Sequence, residues 1–379
     1  MSALGSLAVH YVKRGIEASL DKKPSNPSNP EEPEKPFPVV GFTVVFFTAL
    51  LFFIVSACVS YIYGKVITTL AAVEDPNPDV YVRIDADITA ENDPEVPLPN
   101  PKPITSSLRT TIAHLRARAG RWSLFRGLAL YMLLSIAIGL VSFPLAALLG
   151  GGLLGQAVGR FVADIVLANV RVAWIHIVIS EPSTKRLWAR IPAWRKTVPK
   201  MAPAAAIRAL ASQITTFVPL LVAYATHVFK NDASPFDPTD ASPAKVGGSF
   251  GIALLALFLY VLILMPAEVT FIRVAASMLP EEDETIVPFD RSFGGKVTPE
   301  IVGGQGKIGI LDAWRSFEWS SRTRFLTVVG KVFVMEVVIG SVFGIVLVSQ
   351  ALIFFRDLIQ TSGSIDGSMT VGGMEVSTR

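Results

Sequence analysis

Pro266, Glu268 and Arg273 place a helix-bending imino acid, a carboxylate and a guanidinium within eight residues, at the end of a long apolar run. A proline inside a spanning helix removes an N–H donor and bends the helix. Charges at membrane depth are costly unless paired or hydrated, so this trio marks a functional site. Arg160, Asp164 and Arg171 lie in a second apolar run, spaced so that all three share one helical face. Lys331 and Glu336 lie in a third, and Glu336 is deep enough to need a partner. Two kinds of chemistry suit such groups. They line a water-filled path that attracts a small anion, or they neutralise one another and order the helices that carry them.

Covalent and metal chemistry lack the parts they need. Cys58 is the single cysteine and sits inside an apolar run, where a thiol is a poor nucleophile and thioester chemistry is disfavoured. Gly247-x-Ser249-x-Gly251 matches a nucleophile elbow in letters only, without a preceding strand or an acid–histidine pair. Gly150-x-Gly152-x-x-Gly155 lacks the strand that a dinucleotide fingerprint requires. No His/Cys/acid spacing suggests a metal ligand set. Neither an enzyme nor a cofactor is expected.

The elements that position these charges follow from composition. The chain of 379 residues is 51% hydrophobic and 17% charged, with a mean hydropathy of +0.50. Apolar blocks recur at the length of a bilayer crossing, about 20 residues. They predict six transmembrane helices, at 38–63, 127–149, 153–179, 211–229, 250–279 and 325–355, in an all-α integral membrane protein. The fourth is the most polar, with Gln213, Thr215, Thr216 and His227, and Pro144 and Pro219 should bend the second and fourth. Ahead of them, 1–37 reads as an amphipathic segment and a proline-rich linker; 357–379 reads as a disordered tail.

Arginine and lysine concentrate in the loops after spans one, three and five, so those loops share one side and both termini lie on the other. The net charge is only +3, and the basic residues are split between spans, which excludes nucleic acid as a partner. Leu108, Ile112, Leu115, Ala119 and Trp122 form an apolar stripe beside Arg109, Arg116 and Arg118. Such a helix lies at the membrane surface, where anionic lipid favours it. Leu311, Trp314 and Phe317 repeat the pattern in the third loop, and Leu187, Trp188, Ile191 and Trp194 do so in the second, interrupted by Pro192. The acidic run Glu281-Glu282-Asp283-Glu284 either caps a helix end or docks a basic protein partner. Gly151, Gly155 and Gly159, with Gly340 and Gly344, fall every four residues and predict close helix packing.

Span, basic loop with a surface helix, returning span: this plan occurs three times, over 38–149, 153–229 and 250–356. Arg171-Val172-Ala173 and Arg273-Val274-Ala275 recur about one hundred residues apart, which predicts tandem two-helix repeats. The plan resembles the mitochondrial carrier family. Pro266, Glu268 and Arg273 match that family's Pro-x-acid-x-x-base-x-base pattern, with Phe271 at the first basic position. Trp122-Ser123-Leu124-Phe125-Arg126-Gly127 resembles the opening of its even helices. The resemblance implies six helices around a central cavity, basic loops facing the mitochondrial matrix, and transport of a small solute, here anionic. The corresponding positions of the other two units carry Asp164, Val166 and Asn169, and Tyr63, Lys65 and Thr68. Most gate charges of the family are therefore replaced. That departure keeps open a second expectation, a carrier-like membrane scaffold that does not transport. Under the gate reading, Glu268 should meet Arg171, or failing that Arg160.

Overall fold

The structure of the protein, a computed structural model, describes residues 39–75, 103–226, 228, 243–298 and 302–371. The N-terminal segment, the proline-rich linker and the last eight residues lie outside them. Among the described residues every regular element is helical, and the one β-type pairing is an isolated bridge between Ser180 and Thr285. Five helices are long and apolar enough to cross a membrane, six if a bent pair counts as one span. This fits an all-α, multi-pass membrane protein. Phe143, Leu154, Phe258, Val334 and Ile345 are among many large apolar side chains that face outward, as expected where the surrounding solvent is lipid.

We number the helices in chain order. Helix α1 (Val39–Tyr61) runs through a π-helical turn (Ile62–Ile67) into α2 (Thr68–Val73), and α3 (Leu108–Ala119) follows in the first basic loop, its apolar stripe packed on the protein core through the buried Leu115. Next come α4 (Leu128–Leu148), the bent pair α5 (Leu153–Val166) and α6 (Ala168–Ile179), and α7 (Trp194–Ala225). Helix α8 (Pro243–Leu259) continues through a second π-helical turn (Tyr260–Leu264) into α9 (Met265–Ala276). A short α10 (Ile310–Arg315) precedes the long α11 (Trp319–Val371).

Two expectations need correcting. The fourth span begins at Trp194 rather than near 211, because Pro199 and Pro203 are accommodated inside one 32-residue helix. The segment after residue 357 is not wholly irregular, since α11 continues to Val371.

The chain divides into two compact units. In the one formed by residues 1–49 with 345–379, Gly41 lies so close to Phe354 that a β-carbon would fall 2.6 Å from the Phe354 Cβ. In the same unit, Gln350 donates to Thr48 Oγ1 at 2.9 Å.

The other unit, residues 50–344, holds the main apolar core, including Ile67, Leu70, Ile175, Met201 and Phe271. Here the Gly150–Gly152 turn folds α5 back on α4, with Gly150 and Gly151 at φ of 89° and 71°. The glycine spacing is only partly a packing device. Gly155 and Gly159 press on α4, where a β-carbon would meet the Ala146 carbonyl at 2.8 Å and the Ser142 carbonyl at 2.5 Å. A β-carbon on Gly151, Gly340 or Gly344 would meet no atom of the described residues within 4 Å.

Candidate functional site: a buried ion cluster

The three interrupted helices carry the charges. The chain departs from regular α-helix at 62–67, at a 58° bend between α5 and α6, and at 260–264. Pro266 accounts for the last. It has no N–H, its ring crowds the carbonyl four residues back, and the wider π turn absorbs that conflict. Lys65 lies in the first interruption, Asp164 and Arg171 flank the second, and Glu268 follows the third.

These residues converge around Arg208 of α7. Asp164, only 3% exposed, accepts from Arg171 Nη2 at 2.8 Å. Arg208 Nη2 lies at the same distance from the same Asp164 oxygen, Oδ1, but out of line for a hydrogen bond. Arg208 Nη1 reaches Glu268 Oε2 at 3.5 Å. Lys65 and Arg171 stand within electrostatic range of Glu268. The Arg208 guanidinium also lies 5.5 Å from the Phe271 ring centre. Its Nε and Nη2, and the Nε of Arg171, are buried without a hydrogen-bond acceptor.

Several expected members sit elsewhere. Arg160 is exposed and forms no ion pair among the described residues, so it is not the partner of Asp164 or Glu268. Lys331 is likewise exposed. Glu336 accepts from Ser56 at 2.9 Å and Ser60 at 2.5 Å, two hydroxyls of α1 one turn apart. Arg273 turns away from Glu268. It donates to the carbonyls of Ala72, Ala313 and Ser316 at 3.0–3.2 Å and stacks between Phe293 and Phe317. It ties the end of α2 to α9 and α10.

Arg208 was missed by sequence reasoning because it falls in the stretch assigned to the second basic loop. The signal that finds it is the alanine-rich segment 202–211, which continues a helix past its prolines.

Two further arginines hold helix ends. Arg126 donates to the carbonyls of Ile177, at 3.1 Å, and Ser180, at the end of α6. Arg324 donates to the Glu74 carbonyl at 2.8 Å, just past α2, and its Nη1 lies 3.8 Å from that carboxylate. Gly127, at φ 72°, lets the chain turn from Arg126 into α4 where a β-carbon would meet Trp174 at 3.0 Å.

The three basic loops meet at one end of this unit. Arg118 pairs with Glu181 at 2.9 Å, and His114 Nε2 lies 2.7 Å from the Ile286 carbonyl. Lys185 pairs with Glu282 and Asp283 at 3.0 and 3.4 Å, and these carboxylates raise its pKa. The acidic run is thus partly engaged by its own chain. Burial lowers the pKa of Arg190, whose Nη2 donates to Ser180 Oγ at 2.7 Å. Burial, then the nearby Lys200, lowers that of Lys307. Two concavities of about 400 and 630 Å³ lie at this end around Pro103 and Ser106, lined by none of the cluster residues. Among the described residues no group of His, Cys, Asp and Glu could hold a metal. Compared with models of known protein families, with characterised proteins and with solved structures, the chain matches none.

Proposed function

We propose that this is a carrier-like membrane protein that binds and moves a small anionic solute, with the ion cluster as its binding site in a closed state. The single observation that carries this reading is Arg208. It is 6% exposed, joined to carboxylates on two other helices, and keeps its Nε–H without an acceptor among the described residues. Opening would separate Arg208 from Glu268, the longer of its contacts at 3.5 Å. The interruptions near Lys65, Leu167 and Tyr260 recur about one hundred residues apart, which supports three tandem units with one such hinge each. A mitochondrial location with the basic loops in the matrix belongs to the same proposal.

The test is uptake of labelled carboxylates, nucleotides and amino acids by proteoliposomes containing the full chain. Transport that is lost in Arg208→Gln and Arg171→Gln is the expected result. Absence of uptake for every class overturns the reading.

A scaffold without transport is the second reading. The burial of Asp164 between two arginines favours it, because such a network locks helices together whether or not a solute ever enters. Under that reading Arg208→Gln loosens the fold while the wild type transports nothing.

A further inference from the structure

We infer that the solute carries a single negative charge, borne by a carboxylate. The inference rests on the binding-site reading above and names its substrate class. Three cations, Lys65, Arg171 and Arg208, face two carboxylates, Asp164 and Glu268, so the cluster holds one positive charge in excess. A monoanion brings the site to neutrality. A dicarboxylate or a phosphate, at about −1.5 to −2, leaves negative charge uncompensated beside the buried Asp164 and Arg208.

The free donors select the shape of the charged group. Nε and Nη2 of one guanidinium form a planar edge of two parallel N–H bonds, the geometry that a carboxylate accepts with both oxygens. On Arg208 that edge is buried: Nε has no acceptor among the described residues, and Nη2 has only the misaligned Asp164 Oδ1 at 2.8 Å, while Nη1 is directed to Glu268. Arg171 Nε adds a third buried donor without an acceptor. Asp164 Oδ1, 2.8 Å from Arg208 Nη2 but misaligned with it, occupies part of the space that a solute carboxylate would take. Once the solute binds, Asp164 keeps its aligned bond from Arg171.

The experiment measures thermal stabilisation of the purified full-length protein in detergent by acetate, propionate, pyruvate, succinate and inorganic phosphate. Ionic strength is matched, with chloride as the reference. Monocarboxylates should stabilise the wild type with an apparent affinity about tenfold above succinate or phosphate. Glu268→Gln adds one net positive charge and should reverse the order in favour of succinate. Lys65→Gln removes one and should abolish the response, and since Lys65 is half-buried this variant serves if Glu268→Gln does not fold. Best stabilisation of the wild type by succinate or phosphate overturns the charge inference and leaves the anion site standing. No response of the folded wild type to any of these anions overturns the site itself.

Discussion

Arg208 and Glu268 are 60 positions apart in the chain and meet at 3.5 Å, joining α7 to α9. Each is costly alone at that depth, and each has its partner because two proline-containing segments stay helical. Asp164, on the far side of the same guanidinium, is shared with Arg171. The consequence is a coupling between three spans that no one helix could supply.

Removing one member of such a pair leaves a charge without its counterion, at a cost of about 3–5 kcal/mol. Arg208→Gln should therefore lower the melting temperature in detergent far more than Arg160→Gln, since Arg160 is exposed. The exchanged pair, Arg208→Glu with Glu268→Arg, should recover less than the full loss, because Asp164 then faces a carboxylate. A melting temperature for Arg208→Gln equal to that of Arg160→Gln would refute the coupling.

Helix packing at the α4–α5 hairpin gives a second prediction. Gly159→Ala places a methyl 2.5 Å from the Ser142 carbonyl, so the hairpin must spread. The expected loss is about 1–3 kcal/mol. Gly340→Ala and Gly344→Ala meet nothing within 4 Å and should be neutral or slightly stabilising, since alanine favours helix by about 1 kcal/mol. Thermal melts of the three variants side by side decide it.

The helical class, the apolar segments of bilayer length and the basic loops were legible in the sequence because bilayer length and charge bias are written locally. That Arg160, Asp164 and Arg171 share one face was legible for the same reason, but local spacing pairs Asp164 with Arg160 four residues away, whereas its partner in the structure is Arg171, seven residues on. The partner of Glu268 was not. It required knowing that α7 starts at Trp194, which hydropathy hides behind Arg195, Lys196 and Lys200. Arg273 has the spacing from Pro266 that fits a motif, but its partners were not legible. Its acceptors are backbone carbonyls from Ala72, Ala313 and Ser316, and no local pattern announces those.

That arrangement makes Arg273 sensitive to shape rather than charge. Lysine keeps the positive charge but cannot fill three carbonyl directions in one plane or stack between Phe293 and Phe317. Arg273→Lys should lower the melting temperature nearly as much as Arg273→Ala. A lysine variant that melts like the wild type would show that charge alone suffices.

In the third basic loop, burial works against ionisation of Asp290. Hydrogen bonds from the Gly294 N–H at 2.6 Å and from the Ser292 hydroxyl and N–H nevertheless hold its carboxyl below the usual value. A depressed folded-state pKa stabilises the loop fully above the unfolded value, about 3.9, and that contribution is lost as pH falls through the folded value. Backbone exchange at Ser292 and Gly294 should therefore show extra opening of the loop only in acid, below about pH 4. Asp290→Asn should remove this pH dependence. Opening of the wild-type loop as pH rises through neutrality would have the wrong sign.

Contacts among the loops predict the topology. Arg118 meets Glu181, His114 meets the Ile286 carbonyl, and Lys185 meets Glu282, so the loops after the first, third and fifth spans lie at one end of their unit. Gly151 sits in the opposite turn of the α4–α5 hairpin. In a Cys58→Ala background, single cysteines at Arg116, Arg186 and Arg315, all exposed, should react with an impermeant maleimide from the same face of sealed vesicles. A cysteine at Gly151 should react only from the other face. Arg186 and Arg315 labelling from opposite faces would break the three-loop arrangement, and with it the placement of Arg208, Asp164 and Glu268 within one set of spans.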